Sequence, residues 1–139
     1  MARTIKGNQL AIQSYIFTTA KYDFSAYEKR IMYRLVELAQ DEIKGIMIRD
    51  NLHKIEPTLF GREITMPVAD ILRDQKDQNY TIAKKAFKSL ASKGVEYEDD
   101  KIWTYTSIIQ SPKIDKIKGS VVFNVLDDIW RCLLDFTKG

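Results

Sequence analysis

Asn79-Tyr80-Thr81-Ile82-Ala83-Lys84-Lys85-Ala86-Phe87-Lys88-Ser89-Leu90-Ala91-Ser92-Lys93 is the stretch on which the reading of this chain turns. Wound at about 100° per residue, it puts Ile82, Ala83, Ala86, Phe87 and Leu90 on one side of a helix. Thr81, Lys85, Lys88 and Ser92 fall on the other side, with Lys84 at the border. One face is therefore suited to a core, and the opposite face is positive and carries no acid. Gly94 is expected to stop the helix in a left-handed conformation. Two strand-like segments follow, Val95 to Glu98 and Ile102 to Ile108, joined by Asp99-Asp100-Lys101. A basic helix followed by a hairpin is the order in which a winged helix meets DNA. The opposing reading is a merely solvated lysine face.

Around this stretch, 139 residues make one domain, large enough to bury a core without covalent staples. The apolar share of 45% and the charged share of 29% are those of an ordinary globule. A net charge of +3 permits a nucleic-acid partner only if the positive charge is clustered. Clustering is present: Lys84, Lys85, Lys88 and Lys93 have no acid among them, while Asp41-Glu42 and the run from Glu96 to Asp100 collect acids elsewhere. The single cysteine, Cys132, excludes an internal disulfide and reads as a buried thiol among Ile129, Trp130, Leu133 and Leu134. No apolar run approaches the roughly 20 residues that span a bilayer. Arg3 and Lys6 precede no apolar signal segment. A cytoplasmic protein without a membrane partner is expected.

Residues 1–7 read as a disordered basic start and 8–139 as the folded domain. In Gln9 to Ala20 the pattern does not separate helix from strand. Ser25-Ala26-Tyr27-Glu28 is a capping box opening a helix to about Glu42, with Ile31, Met32, Leu35, Leu38 and Ala39 inward and Arg30, Arg34, Glu37 and Asp41 outward. Ile46 to Ile48 suits a short strand, and Asn51 to Gly61 reads as a loop. Arg62 to Met66 alternates as a strand with Ile64 and Met66 inward. Pro67 suits the first turn of a helix to about Arg73 that buries Val68, Ile71 and Leu72. Asp74 to Gln78 is then a turn, and Asp77 or Asn79 caps the basic helix. Ser111-Pro112 is expected to break the second hairpin arm, leaving Lys113 to Gly119 as a basic loop. Ser120 to Val125 resumes as a strand, and Asp127 or Asp128 caps a last helix. The fold class is α+β, a winged helix-turn-helix with a small antiparallel sheet.

Enzymatic signals are absent. His53 stands alone in an expected loop and reads as a surface imidazole; Asp99-Asp100 reads as turn chemistry and Asp127-Asp128 as a cap. No metal or other cofactor is implied. The candidate DNA contacts are Gln78 and Asn79, whose amides suit adenine, together with Thr81, Lys84, Lys85, Lys88 and Ser92 on the helix. Tyr80 is a further contact at its start. Of two candidate wings, Glu98 to Ile102 is acidic apart from Lys101. The other carries Lys113, Lys116 and Lys118 against Asp115 and is the better phosphate contact. Trp103, Tyr105 and Phe123 read as core or interface aromatics.

The order of motifs resembles the N-terminal winged-helix domain of the iteron-binding plasmid replication initiators. The carrying residues are Asn8-Gln9-Leu10, Phe24-Ser25-Ala26-Tyr27-Glu28-Lys29-Arg30 with the helix to Leu38, Tyr80 to Leu90, Val95-Glu96-Tyr97-Glu98, and Leu133-Leu134-Asp135-Phe136-Thr137. One departure is the absence of glycine from the turn Asp74 to Gln78. The resemblance implies two winged-helix domains in the full protein, of which this chain is the first. It also implies binding to double-stranded DNA at repeated origin sites, and homodimers formed largely through this domain. A winged-helix transcriptional regulator and a protein-interaction module without DNA binding are the alternatives.

Overall fold

Ser25 and Glu28 exchange the two hydrogen bonds that their spacing predicts. The Glu28 amide donates to Ser25 Oγ at 3.2 Å, and the Ser25 amide donates to Glu28 Oε1 at 3.1 Å. The helix they open is α1, Ala26–Ile43. The computed structural model describes residues 4–6, 15–16, 18–19, 21–43, 53–72, 80–98 and 100–136. Strand β1 is Thr4–Lys6, inside the stretch that composition reads as disordered. After α1 come β2 (Lys54–Pro57), β3 (Gly61–Pro67) and a single 3-10 turn, Val68–Asp70. Helix α2 (Tyr80–Ser92) leads into β4 (Gly94–Glu98) and β5 (Trp103–Ser107). The chain finishes with β6 (Gln110–Asp115), β7 (Ser120–Leu126) and α3 (Asp127–Phe136).

The strands form two sheets, ordered β1-β4-β5 and β2-β3-β7-β6. In the first, β1 runs parallel to β4, and β4 and β5 are the expected hairpin, with Glu98 opposite Trp103. The second is antiparallel, its spine the β3–β7 ladder from Gly61 opposite Leu126 to Pro67 opposite Ser120. Only Ile108 and Ile109, both buried, separate β5 in one sheet from β6 in the other.

The stripes read from helical spacing are the core. Ile31, Met32, Leu35, Leu38 and Ala39 of α1 are buried, as are Ala83, Ala86, Phe87 and Leu90 of α2. Phe87 meets Phe123 of β7 with ring centroids 5.6 Å apart and planes tilted by 41°, fixing α2 on the second sheet. Trp130 of α3 is wholly buried, and its indole N–H donates to Glu42 Oε2 of α1 at 3.2 Å. Cys132 is buried, as its neighbours imply.

Several local expectations give way to tertiary context. The helix expected from Pro67 to Arg73 is absent over its described part, which holds only the 3-10 turn. Pro67 has an extended ψ of 140°, so it ends β3 instead of opening a helix. Val68, Ile71 and Leu72 are nonetheless buried. Arg30 and Arg34 of α1 pin this turn, through the Ile71 carbonyl at 3.0 Å and the Asp70 carboxylate at 2.8 Å, and so do not simply face water. Residues 54–57 are a strand and not a loop, since Pro57 lies in β2, an edge strand where its missing N–H is tolerated. Ser111-Pro112 does not break the chain either. It forms a bulge inside β6, where the register shifts between Gln110 and Lys113 and Ser111 takes φ 51°.

Gly94 does not take the left-handed conformation expected of a helix stop. It opens β4 beneath Tyr105, whose hydroxyl oxygen would overlap a Cβ placed there. Residues 15, 16, 18 and 19 are helical, which decides that part of the Gln9 to Ala20 ambiguity. The strand expected at Ile46 to Ile48 and the turn Asp74 to Gln78 lie outside the described residues, as do the expected caps Asp77 and Asn79.

Candidate nucleic-acid interface

Burying one face of α2 against Phe123 leaves its other face to solvent. Thr81, Lys84, Lys85, Lys88 and Ser92 are all on this outward side, and all five are exposed. Among the described residues none of these lysines has a carboxylate partner within ion-pair distance. Lys93 leaves the positive face. Its ammonium lies 3.0 Å from Glu28 Oε2, donates to Ser89 Oγ at 2.9 Å and sits over the Phe24 ring. Ser92 Oγ donates to the Lys88 carbonyl at 2.7 Å, so it caps its own helix turn and leaves only acceptor capacity outward.

The second candidate wing is a true hairpin, β6–β7, turning through residues 116–119. Lys113 stands on strand β6, not in a loop, while Lys116 and Lys118 are exposed in the turn. Asp115 builds that turn. Its Oδ1 accepts from the amides of Ile117 at 2.9 Å and Lys118 at 3.0 Å, and its carbonyl accepts from the Gly119 amide at 2.8 Å. The Lys118 amide, followed by that of Ile117, holds the Asp115 carboxyl below its ordinary range. Gly119 has φ 67°, a left-handed position that a side chain would strain. Its carbonyl then accepts from the Val68 amide at 2.9 Å, binding the turn to the end of β3.

Helix and wing are joined directly. The Tyr80 hydroxyl, at the start of α2, donates to the Lys116 carbonyl at 3.2 Å. One helical turn on, Lys84 comes close enough to Lys116 that repulsion between their ammonium groups lowers the Lys84 pKa. Two like charges held together without an acid between them are relieved by an anion with several oxygens, such as a phosphate.

Of the residues singled out from sequence, Thr81, Lys84, Lys85, Lys88, Lys113, Lys116 and Lys118 belong to this helix-and-wing region. Gln78 and Asn79 lie outside the described residues. Sequence reasoning places Tyr80 against DNA, whereas its hydroxyl is spent on the wing. It misses the Lys84–Lys116 approach altogether, because nothing local relates positions so far apart. It also misreads His53, which is mostly buried. Its Nε2 lies 2.7 Å from Asp70 Oδ2 and 2.9 Å from an Arg34 guanidinium nitrogen.

A second surface differs in kind. On the outward face of β4–β5, Trp103 and Tyr105 are 58% and 57% exposed, with ring centroids 6.5 Å apart in a stacked arrangement. The Trp103 indole donates to Glu96 Oε2 at 2.9 Å. Of the aromatics expected to serve core or interface, only Phe123 is in the core. Among the described residues no cluster of His, Cys, Asp and Glu could hold a metal ion, and no helix is long and apolar enough to cross a membrane.

An α+β domain with a basic helix docked against a basic β-wing is a winged-helix domain. The family model described as "Initiator Replication protein, WH1" matches residues 10–139, and the chain belongs to that family. The crystal structure of the MSBI1.176 WH1 domain, a replication protein isolated from a multiple sclerosis patient, superposes with a TM-score of 0.59. The superposition covers 94% of this chain and 96% of that one at 13% sequence identity, a likeness of fold. No curated protein matches the chain.

Proposed function

We propose that this WH1 domain binds double-stranded DNA at the repeated origin sites of a plasmid and supplies the dimer contact of its initiator, without catalysis of its own. The observation that carries the DNA reading is the join of α2 to the wing. Lys84, Lys85 and Lys88 continue without an intervening acid into Lys116, through the Tyr80 hydroxyl on the Lys116 carbonyl. Lysines on that line neutralise successive phosphates and give affinity that is steeply dependent on salt. Sequence reading in such an arrangement falls to the start of α2, where Thr81 is exposed, and to the second winged helix that the family resemblance implies.

The dimer reading rests on the other surface. In the sheet of described residues β5 is an edge strand, and it carries Trp103 and Tyr105 outward. Edge pairing of two copies, with those rings packed across the junction, would bury both the open edge and the aromatic pair.

The test is fluorescence anisotropy of the domain on duplex DNA over a series of salt concentrations, with Lys85→Ala/Lys88→Ala beside the wild type. The double variant is expected to bind all sequences more weakly, and its log–log salt slope to fall by about 0.9 for each phosphate no longer neutralised. Equal affinity and slope in the two proteins would remove this face from consideration. Self-association with no DNA binding even at low salt would leave a protein-interaction module.

A further inference from the structure

Ile117 is 98% exposed at the tip of the β6–β7 wing, between Lys116 and Lys118. Single exposed apolar residues are common on protein surfaces and by themselves mean little. This one is unusual in its position. A tight turn favours Gly, Asn, Asp or Ser, and a β-branched residue there contributes nothing to the turn and nothing to the core. The backbone that carries it is also fixed. Asp115 Oδ1 accepts its amide and the next one, Gly119 closes the turn at positive φ, and Tyr80 and Val68 anchor the turn to α2 and to β3. A stiff aliphatic group is thus held rigidly at the tip of a basic wing. Among the other exposed apolar residues at hairpin tips, Leu59-Phe60 has no lysine adjacent to it in sequence, and Ile102, though it follows Lys101, belongs to a connection that is otherwise acidic, with Glu98, Asp99 and Asp100.

We propose that Ile117 is a wedge for the minor groove of duplex DNA. Its side chain would enter a base step while Lys116 and Lys118 lie along the phosphates on either side. This deepens the DNA-binding reading and rests on it. Apolar side chains at such a position partly unstack the step and bend the duplex, at a cost least for flexible pyrimidine–purine steps such as TA. The wing would then select deformable, A·T-rich DNA without a base-specific hydrogen bond, in contrast to the exposed Thr81 hydroxyl at the start of α2.

The experiment uses the full chain and a duplex of repeated TA steps in which several adenines are replaced by 2-aminopurine, whose fluorescence rises on unstacking. Wild type, Ile117→Ser and Lys84→Ala/Lys116→Ala are compared at saturating protein, with affinity followed over a salt series. The wild type is expected to raise the fluorescence. Ile117→Ser, at a site that packs on nothing, is expected to fold normally and keep the salt slope, yet lose the fluorescence rise and roughly tenfold in affinity, the scale of burying one aliphatic side chain. The lysine variant is expected to flatten the salt slope and keep the rise. If Ile117→Ser matches the wild type in affinity and fluorescence while the lysine variant is impaired, the wedge is refuted and the phosphate interface stands. Absence of DNA binding by the wild type would remove both.

Discussion

Two hairpins flank α2, and they have opposite characters. The β4–β5 hairpin follows the end of the helix and shows Glu96, Trp103 and Tyr105 on one face, with Glu98 and Asp100 exposed towards its tip. The β6–β7 hairpin docks by its turn on the start of the helix and shows Lys113, Lys116 and Lys118. Both are antiparallel pairs with a short connection, so local geometry does not distinguish them. Charge and neighbours do. The acidic, aromatic hairpin repels phosphate and offers apolar area, whereas the basic one extends the lysine face of α2. In a winged helix the strand pair next in sequence to the recognition helix is the natural first choice for a wing. Here the electrostatics favour the pair that belongs to the other sheet.

The largest effect that would disturb this division comes from its shared support. Phe123→Ala removes the ring on which Phe87 rests and leaves a cavity between α2 and the sheet that carries the wing. A loss of about 3–5 kcal/mol in unfolding free energy is expected from urea titration, and DNA affinity should fall with it because helix and wing lose their common base. A well-folded variant with unchanged stability would mean that this packing does not hold the interface together.

Next in size, Trp103→Ala/Tyr105→Ala tests whether the hairpins are functionally separate. If the aromatic face is the dimer contact, truncating two hot-spot rings weakens self-association by about 2 kcal/mol or more, roughly thirtyfold, in sedimentation equilibrium. The salt slope of DNA binding per protomer should not move. A changed slope with an unchanged dimer would reverse the assignment of the two surfaces.

The smallest expected effect concerns the link between the acidic hairpin and α3. The Tyr97 hydroxyl donates to Asp128 Oδ2 at 2.5 Å. Burial first, then that hydrogen bond and the carboxylate's charge, raise the phenol pKa above its usual 10.0. The folded state therefore holds its proton more tightly than the unfolded chain. The contribution is complete below pH about 10 and declines as the pH rises beyond it, when the unfolded tyrosine ionises first. Tyr97→Phe should cost roughly 1 kcal/mol at neutral pH and should lose stability less steeply between pH about 9 and 11. Parallel pH profiles for the two proteins would show that this hydrogen bond carries no such linkage.

Much of this is legible in the residues themselves. The capping box, the buried stripes of α1 and α2, the β4–β5 hairpin and the strand with Ile64 and Met66 inward all follow from short-range periodicity and local hydrogen bonding. The lysine face of α2 follows from the same spacing. The failures also have a common form. At Pro67, Pro57, Ser111-Pro112 and Gly94, strand pairing or a neighbouring side chain overrides the local propensity. His53 looks solvent-facing from its immediate neighbours, yet Arg34 and Asp70, distant in sequence, close around it.

The helices α1, α2 and α3, the strands β3, β4, β5 and β7, the sign of charge on the α2 face and the family are written in the order of residues alone. They depend on side chains a few positions apart, where helix and strand periods act directly. Long-range packing was needed to dock the basic hairpin on the start of α2, to brace Lys116 with Tyr80, and to bring Lys84 and Lys116 into one patch. Such facts join residues more than thirty positions apart, through a two-residue crossing between sheets that no local pattern encodes.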